Sequence, residues 1–162
     1  MKPIDIYEYY DLVMKGFSHL KPFDDDGLMG FTEDIFKLIW FASVKFNTFI
    51  AQTDDLTVES LQNFVNSCKK SAHKRRGKMG APYVANAVVI SSNVSEEVKA
   101  FALKRPKTHQ NMDEFPIVVD IAKGEVYYYT GLIIRGFIYA KFEREYIYGH
   151  FVLPLESLKN RD

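Results

Sequence analysis

The stretch Glu114–Thr130, EFPIVVDIAKGEVYYYT, decides how this chain folds. Residues 116–121 are almost all apolar and mainly β-branched, which is typical of a strand covered on both faces. Lys123 and Gly124 then supply a tight corner, because glycine adopts a positive φ without strain. The aromatic run 126–130 predicts a second strand. Two strands joined by so short a connection pair in antiparallel fashion, so the stretch predicts a buried hairpin.

Further strands are predicted before this hairpin. Segments 46–53 and 83–91 have the apolar and β-branched composition of strands. Residues 35–42, IFKLIWFA, contain one polar side chain among eight and favour a strand, since a helix that is apolar on every side has to be wholly buried. A helix stays open as the alternative there, because Thr32 can cap one. In the strand interpretation, a hairpin through Ser43–Lys45 connects 35–42 to the next strand.

The spacing of apolar residues predicts helices over 4–14, 57–76, 95–104 and 137–148. The two middle helices are interpreted as crossover connections between strands. In the last helix, the apolar residues Ile134, Ile138, Phe142 and Tyr146 lie four apart, and the charged residues Lys141, Glu143, Arg144 and Glu145 fall mostly beside them. Cys68 lies on the apolar stripe of the second helix, so it is interpreted as a core residue rather than as a nucleophile.

Together these elements predict an α+β protein. We expect a single domain over residues 1–162, with a mixed, largely antiparallel sheet of about five strands and about four flanking helices. The single cysteine excludes an internal disulfide and a cysteine-rich zinc cluster. No apolar run approaches the ~18 residues of a membrane span, and the first residues carry acids instead of a signal peptide. We therefore expect a cytoplasmic protein with no membrane partner.

The net charge of zero conceals an uneven distribution. Residues 1–59 carry a net charge of −6, residues 60–112 one of +8, and residues 113–162 one of −2. A basic middle third attracts phosphate groups. It can equally contact the acidic first third, either within one molecule or between copies.

The cations concentrate in segments 69–78 and 99–107. Cations at the end of a helix complement its dipole, which explains part of the first segment. Six Lys and Arg residues in ten positions exceed that need. The candidate binding residues are therefore Lys69, Lys70, Lys74, Arg75, Arg76, Lys78, Lys104, Arg105 and Lys107.

The sequence contains none of the short motifs that identify common enzyme classes. It lacks the glycine-rich phosphate loops, the HExxH zinc motif, paired CxxC and the GxSxG nucleophile elbow. We therefore expect no cofactor and no metal site. The leading hypothesis is a non-enzymatic interaction or binding domain that self-associates as a homo-oligomer through its acidic and basic surfaces.

Two alternative hypotheses use the basic segments. In the first, the segments bind a nucleic acid or another polyanion. In the second, the protein is a metal-dependent nuclease, in which Asp120 and Glu125 hold a cation and Lys123 positions water or stabilises charge at phosphorus. The nuclease requires that these three residues share a groove with the basic segments.

Overall fold

The computed structural model describes residues 3–37, 42–76, 82–106, 108–109, 112–131 and 137–161. Within these residues the helices are α1 (Ile6–Gly16), α2 (Val58–Lys74), α3 (Glu96–Ala102), α4 (Phe137–Ile147) and α5 (Leu153–Lys159). A π-helical turn, Tyr148–Val152, joins α4 to α5. The strands are β1 (Phe23–Asp25), β2 (Leu28–Lys37), β3 (Ala42–Gln52), β4 (Tyr83–Ser91), β5 (Thr108–His109), β6 (Met112–Asp120) and β7 (Glu125–Tyr127). The four helices predicted from the sequence are present, and α5 is additional.

All described strands belong to one sheet with the order β1-β2-β3-β4-β6-β5, and β7 pairs with β6. The first three strands form an antiparallel meander. Helices α2 and α3 then cross over, so that β3, β4 and β6 run parallel. β5 and β7 pair antiparallel with opposite ends of β6. The structure thus confirms the α+β class, the mixed sheet and both crossover helices.

The hairpin predicted over Glu114–Thr130 is formed by β6 and β7. Asp120 pairs with Glu125 next to the corner, and Val118 pairs with Tyr127. Gly124 has a φ of 64°, as the predicted corner requires. The second strand is shorter than predicted, because β7 ends at Tyr127.

For the region around the β2–β3 connection, the structure confirms one prediction and shows that two others are wrong. The strand interpretation of 35–42 is right for residues 35–37, since β2 continues to Lys37. Ala42 already belongs to β3, and residues 38–41 lie outside the described residues. A helix capped by Thr32 is wrong, because Thr32 is inside β2. A hairpin turn through Ser43–Lys45 is also wrong, because β3 already includes these residues. In the observed register Lys45 faces Asp34 across the two strands, and the two side chains form an ion pair of 3.1 Å.

Apolar layers cover both faces of the sheet. Successive strand residues point to opposite faces, so Val88 belongs to one layer and Val89 to the other. α1, α4, α5 and the π-helical turn cover the first face, where the Phe151 side chain is fully buried. α2 and α3 cover the second face, which buries Cys68 completely, in agreement with its interpretation as a core residue. Among the described residues, no helix combines the length and the apolar character needed to cross a bilayer.

Candidate functional site

Helix α2 presents a row of cations beside the stripe that it buries. Thr57 caps the helix, and its side chain accepts a hydrogen bond from the Ser60 backbone N–H. The buried stripe, which includes Leu61 and Cys68, packs on the sheet. Residues three and four apart share one side of a helix. The polar side chains next to the stripe therefore line up along one side of α2, as Gln62, Asn66, Lys69, Lys70 and His73.

The end of helix α3 adds two more cations to the same side of the molecule. Lys104 and Arg105 follow the helix and are exposed. They line a pocket of about 100 Å³ together with Gln62 of α2 and Glu114 of β6. A neighbouring groove of about 420 Å³ is lined by Asn66, Lys69, Lys70, His73 and Met112. The two basic segments of the sequence thus meet between α2 and the first residues of β6.

Part of the positive charge is neutralised inside the molecule. Lys74 Nζ lies 3.3 Å from Asp25 Oδ1 and 4.0 Å from Asp26 Oδ2. The guanidinium of Arg75 lies 3.4 Å from the centre of the Phe23 ring. A hydrogen bond from Ser71 lowers the pKa of the Asp25 carboxyl, and Lys74 adds to this effect. Lys74 and Arg75 therefore attach α2 to β1, which places part of the predicted contact between basic and acidic thirds within one molecule.

Other cations remain available at the surface. Among the residues that the structure describes, Lys70, Arg76, Lys104 and Arg105 are exposed and form no ion pair. Arg76 instead contacts His73 at 2.8 Å, and His73 contacts the Tyr83 hydroxyl at 2.7 Å. Lys78 and Lys107 lie outside the described residues. We call the set of Lys69, Lys70, His73, Arg76, Lys104 and Arg105 the basic surface.

Asp120, Lys123 and Glu125 lie together at the other end of the sheet. The Lys123 backbone N–H donates to Asp120 Oδ1 at 3.0 Å, and Lys123 Nζ lies 3.1 Å from Glu96 Oε1. The hydrogen bond to Glu96 raises the pKa of the Lys123 ammonium. Glu125 accepts a hydrogen bond of 2.6 Å from the Tyr127 hydroxyl.

These three residues do not share a groove with the basic surface. Asp120 is six residues from Glu114 on β6, which corresponds to about 20 Å along a strand. Lys123 Nζ also lies 3.8 Å from Asp120 Oδ2, so an ammonium group of the same molecule already compensates the Asp120 carboxylate. Within the described ranges, no group of three or more acidic, histidine or cysteine side chains is arranged to hold a metal ion.

The sequence interpretation missed a buried polar cluster on the face of the sheet that α4 covers, opposite to the face covered by α2 and α3. Glu143 of α4 is only 3% exposed and Asn86 of β4 is fully buried. Neither side chain completes a hydrogen bond of good geometry with any described residue. Burial raises the pKa of the Glu143 carboxyl well above its usual range, against a smaller opposing effect of the adjacent Asn86 amide. Nearby, Thr48 and Tyr146 share a hydrogen bond of 2.9 Å between their hydroxyl groups.

Glu143 is therefore buried, although it falls beside the apolar stripe of the sequence. The buried side of α4 contains Glu143, Tyr146 and Ile147, so it is rotated relative to the apolar stripe. The signal in the sequence was Asn86, a polar residue in the centre of an apolar strand, which requires a polar partner when it is buried.

Comparisons with protein-family models, with curated proteins and with solved structures found no match to this chain.

Proposed function

We propose that this protein binds the phosphate backbone of a nucleic acid through the basic surface. One observation supports the proposal above all: cations from two separate parts of the sequence line adjoining grooves between α2 and β6. A concave surface with several cations matches the spaced negative charges of a phosphodiester chain better than it matches a single small anion.

Part of the acidic surface that self-association would need is already used within the molecule, while exposed acids such as Asp55 and Glu59 form no ion pair among the described residues. A homo-oligomer held by charge needs an acidic surface with unused capacity. Asp25 and Asp26 already contact Lys74, and Asp34 contacts Lys45 within the same molecule. On the basic surface, four cations that line or adjoin the two grooves form no ion pair with any described residue: Lys70, Arg76, Lys104 and Arg105.

These four cations set the expected strength of the salt effect. Each neutralised phosphate contributes about −0.9 to the slope of log K against log salt concentration on duplex DNA and about −0.7 on a single strand. Four contacts predict a slope of about −3 to −4. The affinity should then fall about 50- to 150-fold between 50 and 200 mM salt.

Fluorescence anisotropy with labelled DNA and RNA 20-mers, single-stranded and duplex, tests the proposal. A variant that combines Lys70→Ser with Arg105→Ser should bind more weakly, with a slope that is shallower by about 1.4 to 1.8. The matched control combines Lys15→Ser with Lys141→Ser, which removes the same charge from α1 and α4. The control should bind like the unchanged protein.

Two results would count against the proposal. The first is an absence of binding at 50 mM salt, and the second is an equal loss of affinity in the control variant. Light scattering distinguishes the competing hypothesis. A mass above 18.7 kDa that falls at high salt, without nucleic-acid binding, would instead support a homo-oligomer held by its charges.

A further inference from the structure

We propose that the pocket between α2 and α3 binds one unstacked nucleobase that carries an exocyclic amino group. The inference rests on the proposed function and narrows it, because a base is free to enter such a pocket only when it is not paired. The ligand would therefore be a single strand, with cytosine, adenine or guanine favoured over thymine, uracil and hypoxanthine, which carry no exocyclic amino group.

The pocket has walls suited to the flat faces of a base. Val65 of α2 and Phe101 of α3 line it, together with Pro106 and Pro116. These four side chains are apolar, and bases stack on aromatic and apolar surfaces with little dependence on sequence. The volume of about 100 Å³ has room for one base rather than for a base pair.

One polar group in the pocket provides selectivity. The Glu114 side chain is part of the lining, and the residue is only 6% exposed. Lys69 Nζ lies 3.6 Å from Glu114 Oε2 and compensates its negative charge. An ionised carboxylate only accepts hydrogen bonds, so it favours an amino group and disfavours a carbonyl oxygen at the same position.

Cations at the edge of the same pocket supply the remaining contacts. Lys104 and Arg105 line the pocket beside the apolar walls. A nucleotide joins a base to a phosphate through one sugar, so a base inside the pocket brings its phosphate towards these side chains. The neighbouring groove, with Lys70 and His73, then offers a path for the next phosphates of the strand.

Competition between oligonucleotides tests the inference. We expect oligo(dC) to bind about ten-fold more tightly than oligo(dT), and guanine to be preferred by a similar factor over hypoxanthine, which lacks the amino group. In a Glu114→Gln variant the preference should disappear, because glutamine presents both a donor and an acceptor. The salt slope should not become shallower, because the substitution releases Lys69 from its ion pair. Equal affinities for oligo(dC) and oligo(dT) in the unchanged protein would overturn the inference and leave the proposed function intact.

A measurement with mononucleotides distinguishes a failure of the proposed nucleic-acid binding from a failure of the base pocket, and it needs no variant. In NMR titrations, CMP should shift the backbone amide signals of Gln62, Val65 and Phe101, and UMP should shift them much less. If no oligonucleotide binds, the proposed function fails, and the pocket is then judged by CMP alone. Absence of CMP-dependent shifts at these three residues would refute the pocket.

Discussion

Replacing Glu143 with glutamine should stabilise the folded protein, and the gain should grow as the pH rises. The Glu143 carboxyl is buried between α4 and the sheet, next to Asn86. Loss of solvation is the main cause that raises its pKa in the folded protein, and the charge of Asp113 adds to it. Glutamine has nearly the same shape and does not titrate, so it keeps the packing and removes the cost of a buried charge.

The size of the effect follows from the linkage between protonation and folding. The unfolded chain releases the Glu143 proton near pH 4.5, whereas the folded protein retains it to a higher pH. Between these two pKa values the unfolded state binds fewer protons, so the free energy of unfolding falls by about 1.4 kcal/mol per pH unit from this group. The difference between the Glu143→Gln variant and the unchanged protein should therefore widen at that rate above pH 4.5, until the folded pKa is reached.

Urea unfolding followed by circular dichroism at pH 5, 6, 7 and 8 measures this difference. The control is Glu145→Gln on the same helix, where the side chain is 59% exposed and contacts Lys141. Its stability curve should run parallel to that of the unchanged protein, because the Glu145 side chain stays hydrated on folding and a surface ion pair contributes little to stability. A constant difference between the Glu143 variant and the unchanged protein over the whole range would refute the reasoning.

Three further predictions concern the fold. Phe151→Ala removes a fully buried ring and should lower the free energy of unfolding by about 3 to 5 kcal/mol in urea titrations. Gly124→Ala should cost about 1 kcal/mol or more, because φ is 64° and the new Cβ would approach Lys159 Cδ at 3.0 Å; Gly149→Ala, where a Cβ meets no atom within 4 Å, is the control. Burial raises the pKa of the Cys68 thiol, so a disulfide reagent should label it only on unfolding, and rapid labelling of the native protein would contradict this.

The parts of the fold that were predictable are those that local sequence determines. Gly124 indicates the turn between β6 and β7 because glycine favours the positive φ found there. The apolar spacing of α2 identifies that helix without knowledge of its neighbours. The hairpin of β2 and β3 contains no such marker, since glycine and Asn-Gly are absent from the segment between them. Its register is apparent only when Asp34 and Lys45 are known to face each other.

The site was predictable in composition and unpredictable in arrangement. Clustered lysines and arginines can be counted in the sequence, but their partners lie far away along the chain. Lys74 is neutralised by Asp25, and Lys69 contacts Glu114, which is buried at the start of the third parallel strand. The burial of Glu143 depends on the rotation of α4 about its axis, which the packing of the whole face decides.

The outer side of β2 has a consequence for how copies of this protein meet. β1 covers only Leu28–Gly30, and beyond Gly30 no strand within the described residues pairs with that side of β2. Glu33 and Asp34 lie on this uncovered length. If two molecules aligned these lengths in antiparallel fashion around Glu33 and Asp34, carboxylates would stand opposite carboxylates. Repulsion between these carboxylates, weakened at Asp34 by its ion pair with Lys45, then disfavours the growth of one sheet onto another into aggregates.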